Sequence, residues 1–129
     1  MLRLANLKTN ARLADLGSGD GRIIIAFAQA GAEAHGYEVN PILVWFAKRK
    51  IKSLNLEKKA FIHWKSFWKE DFSEFDTVVV YGFPHMMEDL GKKLQKEMQT
   101  STTVLSNIYE FPNWNYEKKE NGIRIYKIS

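Results

Sequence analysis

The segment Asp15-Leu16-Gly17-Ser18-Gly19-Asp20-Gly21 sits between a short apolar run and a stretch with helical spacing. Glycines at such a junction admit backbone angles closed to other residues and let a ligand approach the main chain closely. The context restricts this part of the chain to a strand, a glycine turn and a helix, the opening unit of an α/β domain. Arg12 to Leu16 reads as the buried strand, and Arg22 to Ala30 as the helix, closed by Gly31.

The same alternation of short apolar runs and helical stretches continues to the end, without a repeat or a low-complexity linker. Ala32 to Val39 reads as a second strand. Asn40 and Pro41 then give an N-cap and first-turn pair for a helix expected to carry Leu43, Phe46, Ala47, Ile51 and Leu54 on its packed side. Lys48, Arg49, Lys50 and Lys52 would lie mostly on its wet face. Ala60 to Trp64 and Asp76 to Tyr81 read as third and fourth strands, and Val78, Val79 and Val80 in a row fit a central parallel strand buried on both faces. Met87, Leu90, Leu94 and Met98 mark a further helix, and Thr102 to Ile108 a fifth strand. Asn121 and Gly122 form a type I′ turn signal joining two last strands. The expected fold is α/β and Rossmann-like, with a mixed, mostly parallel sheet and a C-terminal antiparallel hairpin.

A chain of 129 residues has room for one such core, so residues 1–129 are expected to form one domain. With 45% of residues hydrophobic and 26% charged, the composition excludes disorder over most of the chain. There is no cysteine, which removes disulfides, thiolate metal sites and a cysteine nucleophile, and fits a reducing cytoplasmic interior. No apolar run approaches a bilayer span, so no membrane partner is expected. The net charge of +4 permits an acidic partner without requiring one.

Glu38 stands 21 positions after Gly17, at the end of the second strand, where a carboxylate can accept both hydroxyls of a ribose. This describes any adenosine cofactor. A dinucleotide would set its pyrophosphate against the turn, yet Asp15 and Asp20 place negative charge beside it, and Arg22 stands where GxGxxG has its last glycine. S-adenosyl-L-methionine carries no phosphate. Its sulfonium and amino groups are cationic and suit a carboxylate at the end of the first strand.

Read together, DLGSGDGRIIIAFA, GYEVNPILV, FWKEDFSEFDTVVVYGFPHMM, LGKKLQKEM and FPNW resemble the seven-strand S-adenosylmethionine-dependent methyltransferases related to the ATP synthase c-subunit lysine N-methyltransferases. The resemblance covers residues 13 to 114. It implies methyl transfer to the ε-amine of a protein lysine, and so a protein partner presenting a lysine. Carried over by position, it implies cofactor binding by Asp15, Gly17, Ser18, Gly19, Glu38 and Asn40, with Ser66 and Phe67 flanking the adenine. Tyr81, Phe83 and Pro84 would line the methyl-transfer end. Ser66 departs from the acidic residue usual in the family and removes a charge from the partner of the adenine amino group. Relatives have an extended N-terminal segment, membrane-associated in the mitochondrial ones; about a dozen residues precede the first strand here, so no anchor is expected.

Methyl transfer from sulfonium needs a positioned, neutral nucleophile more than a strong base. A cationic cofactor and an aromatic-walled slot both push a lysine pKa down from about 10.4, and aromatic faces stabilise the methylammonium formed. Tyr81, Phe83 and Trp114 could supply such walls, although Trp114 fits core packing equally well. The three histidines follow no ligand spacing, so no metal site is expected. A nucleic-acid methyltransferase is the main alternative. Its amino-adenine variants place a polar residue and prolines beside an aromatic to grip an exocyclic amine, where Tyr81-Gly82-Phe83-Pro84 offers no side-chain amide or carboxylate, so nucleic acid is not expected as partner. A cofactor-binding protein with little turnover is the non-enzyme alternative.

Overall fold

The computed structural model describes residues 10–82 and 84–129. The elements run β1 (Arg12–Leu16), α1 (Arg22–Gln29), β2 (Glu33–Glu38), α2 (Pro41–Ser53), β3 (Ala60–Trp64), β4 (Thr77–Val80), α3 (Pro84–Glu97), β5 (Thr103–Asn107), β6 (Lys118–Glu120) and β7 (Ile123–Lys127). The seven strands form one sheet in the order β3-β2-β1-β4-β5-β7-β6. The first five are parallel, while β7 pairs antiparallel with β5 and with β6. The expected α/β architecture and terminal hairpin are present.

Local chemistry sets the element ends. Asn40 Oδ1 accepts from the N–H groups of Ile42 and Leu43 at 3.0 and 3.4 Å, capping α2 as its position ahead of Pro41 implies. At the C-terminus of α1, Gly31 takes a φ of 101°; its N–H reaches Ala28 O and that of Ala32 reaches Phe27 O, the paired bonds of a Schellman cap. Asn55 closes α2 in the same way, with Leu56 N bonding Ile51 O. Both Asn121 and Gly122 have positive φ, as a type I′ turn demands.

The core has two layers. On one face of the sheet, Leu13, Ala34, Ile62, Val79 and Leu105 meet Ile24 and Phe27 of α1 and Val44, Ala47 and Ile51 of α2. On the other, Leu16, Val78, Val80 and Val104 meet Met87, Leu90 and Leu94 of α3, with Phe72, Phe111 and Tyr126 filling the flanks. Each such buried aliphatic side chain contributes about 1.5–3 kcal/mol of transfer free energy.

Two expectations need correction. The packed stripe of α2 is Val44, Ala47 and Ile51; Phe46 and Leu54 are exposed and Leu43 is half-buried. The apolar residues of this helix fit two stripes, and the choice falls to the one set against Gly21, where an added Cβ would lie 3.1 Å from Ala47 Cβ. The fifth strand ends at Asn107, because Ile108 turns to a φ of 75° and leaves the ladder. The expectation for the N-terminal segment concerns residues 1–9, outside those described, as is Phe83. No helix among the described residues is long and apolar enough to cross a membrane.

Candidate active site

The strand order reverses between β1 and β4, and the carboxyl ends of strands flanking such a reversal are where α/β sheets bind ligands. An open cleft of about 370 Å³ lies there, lined by Asp15, Gly17, Ser18, Gly19, Asp20, Arg22, Ile23, Leu43 and Tyr81.

The glycine turn is fixed by backbone bonds to β2: Gly17 N and Ser18 N both donate to Tyr37 O, at 3.0 and 3.2 Å. Gly17, Gly19 and Gly21 all have φ between 59 and 84°, which L side chains resist. Ser18 turns its side chain onto Gly36, where an added Cβ would sit 2.6 Å from the hydroxyl. That contact makes Gly36 the residue which lets the turn lie flat on the second strand.

Glu38 is built into this frame. Its Oε1 accepts from Gly19 N at 2.8 Å, and its Oε2 from Val39 N and Asn40 N at 3.2 and 3.1 Å. Each carboxylate oxygen has further acceptor capacity for a diol presented above the turn. Asn40 is committed to capping α2 through its side chain and contributes its N–H to Glu38.

The two acids beside the turn differ sharply. Asp20 is paired with Arg22 at 3.2 Å, which holds its carboxyl below the usual carboxylate range. Asp15, at the end of β1, is 1% exposed and its Oδ1 has no hydrogen-bond partner. Burial first, and then the charge of Glu38, push its carboxyl up to about 7. A buried carboxyl oxygen without a partner calls for a cationic or donor group from outside the chain. Tyr81, 42% exposed at the end of β4, faces the same space, and its phenol is raised by burial and by Asp15.

Asp15, Gly17, Ser18, Gly19 and Tyr81 thus surround one cleft, with Glu38 and Asn40 bonded to its floor. Ser66 and Phe67 are not among its walls. Ser66 Oγ accepts from Trp68 N at 3.3 Å in the loop after β3, while Phe67 packs on the α3-side core and on Trp68. Pro84 opens α3 and lines a second cleft of about 530 Å³ with the stretch from Tyr109 to Asn115. Trp114 stands on both sides of its expected roles: it lines that cleft and packs on Phe111 and Tyr126 with ring centroids 5.1 and 4.7 Å apart.

Sequence reasoning missed the apolar wall of the first cleft, Ile23 and Leu43, which the helical pattern alone assigns to core. It also passed over His35 and His63 as separate residues. Parallel pairing of β2 with β3 brings them together, with His35 Nδ1 and His63 Nε2 at 2.9 Å and His35 Nε2 bonded to Glu33 Oε2 at 2.7 Å. Among the described residues no group of three histidines and carboxylates is arranged to hold a metal ion.

This fold and cleft are those of the seven-strand methyltransferase class. The chain belongs to the family of the ANTKMT methyltransferase domain, whose model matches residues 15–118. It is similar to the ATP synthase c-subunit lysine N-methyltransferases of Xenopus laevis, at 43% identity over 78% of this chain and 44% of that one, and of Homo sapiens, at 41% over 79% and 44%. It thus spans less than half the length of these relatives. A protein-lysine N-methyltransferase of Saccharolobus islandicus is 33% identical over 89% of this chain and 73% of its own. Among solved structures, an RNA methyltransferase from Salinibacter ruber in complex with S-adenosyl-L-homocysteine superposes with a TM-score of 0.90. It is 30% identical and covers 98% of this chain and 86% of its own.

Proposed function

We propose that this protein is an S-adenosyl-L-methionine-dependent methyltransferase that modifies the ε-amine of protein lysine, acting in the cytoplasm. The observation that carries the reading is the pairing across one cleft of Asp15, a buried carboxylate without a partner, with Tyr81, an exposed aromatic. The cofactor fits the residues present: Glu38 would take the ribose hydroxyls, Asp15 the cationic methionyl end, and Ile23 and Leu43 an apolar edge. When bound, it supplies an electrophilic methyl group on sulfonium.

The chain's own residues do the rest. Glu38 and the glycine turn would hold the ribose end, which leaves Asp15 and Tyr81 to face the cationic end. The Tyr81 ring offers a face for an alkylammonium and, with the apolar lining, lowers the polarity around an incoming amine so that its neutral form is favoured. No side chain is needed to take a proton, because the neutral amine is itself the nucleophile and sheds its proton to water. The lysine acceptor is supported by the names of the relatives at 41 to 43% identity.

A second reading, RNA as acceptor, has one specific support in the Salinibacter ruber structure's description as an RNA methyltransferase. Incubating the protein with isotopically labelled S-adenosylmethionine and a whole-cell lysate, then separating protein from nucleic acid, tests both. Label on lysine after protein hydrolysis is expected, with a rate that rises with pH as the amine deprotonates. Label recovered only in RNA would replace the first reading by the second.

A further inference from the structure

The methionyl end of S-adenosylmethionine carries an α-ammonium and an α-carboxylate on one carbon, and the acids of the cleft answer only the first. Asp15 lines it with a buried, unpartnered Oδ1, Asp20 lines it too, and Glu38 is bonded to its floor. The Coulomb field that draws the ammonium in repels the carboxylate beside it. A cation is needed in the same space.

Arg22 is the one cation among the residues lining that cleft. It opens α1, where a positive charge meets the positive end of the helix dipole and is disfavoured. Asp20 offsets part of this: its Oδ1 accepts from Arg22 Nε at 3.3 Å and its Oδ2 from Arg22 Nη2 at 3.2 Å. Those bonds occupy one edge of the guanidinium, and among the described residues no other acceptor is bonded to it. The Nη1–Nη2 edge stays open, a fork whose two parallel N–H groups match a carboxylate. The side chain is 78% exposed, so this fork stands at the mouth of the cleft and supports no core.

Tyr81 ties the opposite charges to one place. Its phenol is raised first by burial and then by the charge of Asp15, and is drawn the other way by that of Arg22. A negative and a positive group therefore act on the same ring across one cleft. Such a pair suits a zwitterion better than a plain cation.

We propose that Arg22 is a cofactor-binding residue: the open edge of its guanidinium takes the α-carboxylate of the methionyl end while Asp15 takes the α-ammonium. The two side chains read the amino acid as a zwitterion. With the ribose at Glu38 and the amino acid between Asp15 and Arg22, the sulfur that joins them is held from both sides. The inference rests on the S-adenosylmethionine reading of the cleft.

Titration calorimetry tests it with two ligands, S-adenosylhomocysteine and its decarboxylated counterpart, which keeps the adenosine and the ammonium. The wild type is expected to prefer the carboxylate-bearing ligand by about fivefold, the upper worth of one exposed charge pair. Arg22→Gln is expected to lose about that factor for S-adenosylhomocysteine, and to hold the decarboxylated ligand at least as tightly as the wild type, because Asp20 then stands unpaired. A variant in which both ligands weaken alike would overturn the assignment, since Arg22 would then only shape the turn. Unchanged affinity for S-adenosylhomocysteine in the variant would overturn it as well. The wild-type comparison depends on no variant folding: if the wild type binds S-adenosylhomocysteine without preferring it to the decarboxylated ligand, only this inference falls. If it binds neither, the reading beneath it falls too.

Discussion

Asp15 is the residue of the cleft whose environment is left unfinished, buried with its Oδ1 unpartnered. The folded state favours its proton, with a carboxyl pushed up to about 7 against an ordinary value of about 3.9. Its contribution to stability is therefore favourable below about pH 4 and is lost as pH rises through about 7. Asp15→Asn keeps the shape without the charge and is expected to stabilise the ligand-free protein at pH 8 by on the order of 2–4 kcal/mol, read from melting curves. A cationic ligand reverses the preference by stabilising the carboxylate. S-adenosylhomocysteine affinity should therefore rise between pH 5.5 and 7, by at most about tenfold per pH unit. It should fall in the Asn variant. Titration calorimetry in two buffers of different ionisation heat would show the proton released on binding; affinity that declines over this interval would place the cationic group elsewhere. The sequence showed both Asp15 and Asp20 beside the turn but not their difference, because the difference is made by Arg22 folding back on Asp20 and by the burial of the end of β1.

Among the elements, strands and helices were legible wherever one face or both faces were uniformly apolar: the triple valine of β4 and the Met87, Leu90, Leu94 stripe of α3 stand as read. The outer half of α2 was not legible, since Ile42, Trp45 and Phe46 are apolar yet exposed, and only the sheet beneath decides which stripe is packed. Pairing between strands was equally hidden. Residues 28 apart, His35 and His63, stack with centroids 5.2 Å apart inside a ladder that runs from Phe61 to Tyr37. With Glu33 accepting from His35 Nε2, the free Nδ1 lone pair receives the His63 Nε2 proton. Two protonated rings would set N–H against N–H at the observed 2.9 Å. His63 is held below its usual value, first by burial and then by the charge of His35, with Lys65 and Lys48 adding and Glu70 opposing. Its contribution is thus fully present above about pH 6.5 and is lost as pH falls through the lower folded value. The melting temperature should drop on acidification below pH 6.5, and His63→Gln should flatten that drop. An equally steep fall in the variant would assign the acid sensitivity to other groups.

At the scale of the whole molecule, the antiparallel hairpin ties the second cleft to the centre of the fold. Tyr126 on β7 is fully buried, pairs with Val104 of β5, and carries Phe111, Trp114 and Tyr116 around its ring with centroids 4.7 to 6.0 Å away. Its hydroxyl oxygen accepts from Phe111 N at 3.1 Å, a bond buried on both sides. Phe111 in turn fills the space left by Gly91 of α3, where an added Cβ would lie 2.9 Å from its ring. The loop that walls the second cleft is therefore held by a phenol in the last strand and a gap in the last helix, besides the Ser106 bond to Tyr109 O. Tyr126→Phe preserves the rings and removes only the acceptor, leaving a buried backbone N–H unsatisfied at a cost of about 1–3 kcal/mol. The expected result is a lower melting temperature together with a raised KM for the acceptor. The dissociation constant for S-adenosylhomocysteine should stay near that of the wild type, because the Asp15 to Glu38 frame lies across β4 from the hairpin. Weakened cofactor binding in the variant, at a temperature where it remains folded, would mean that the two ends of the sheet are coupled and that the hairpin supports the whole site, not its acceptor half.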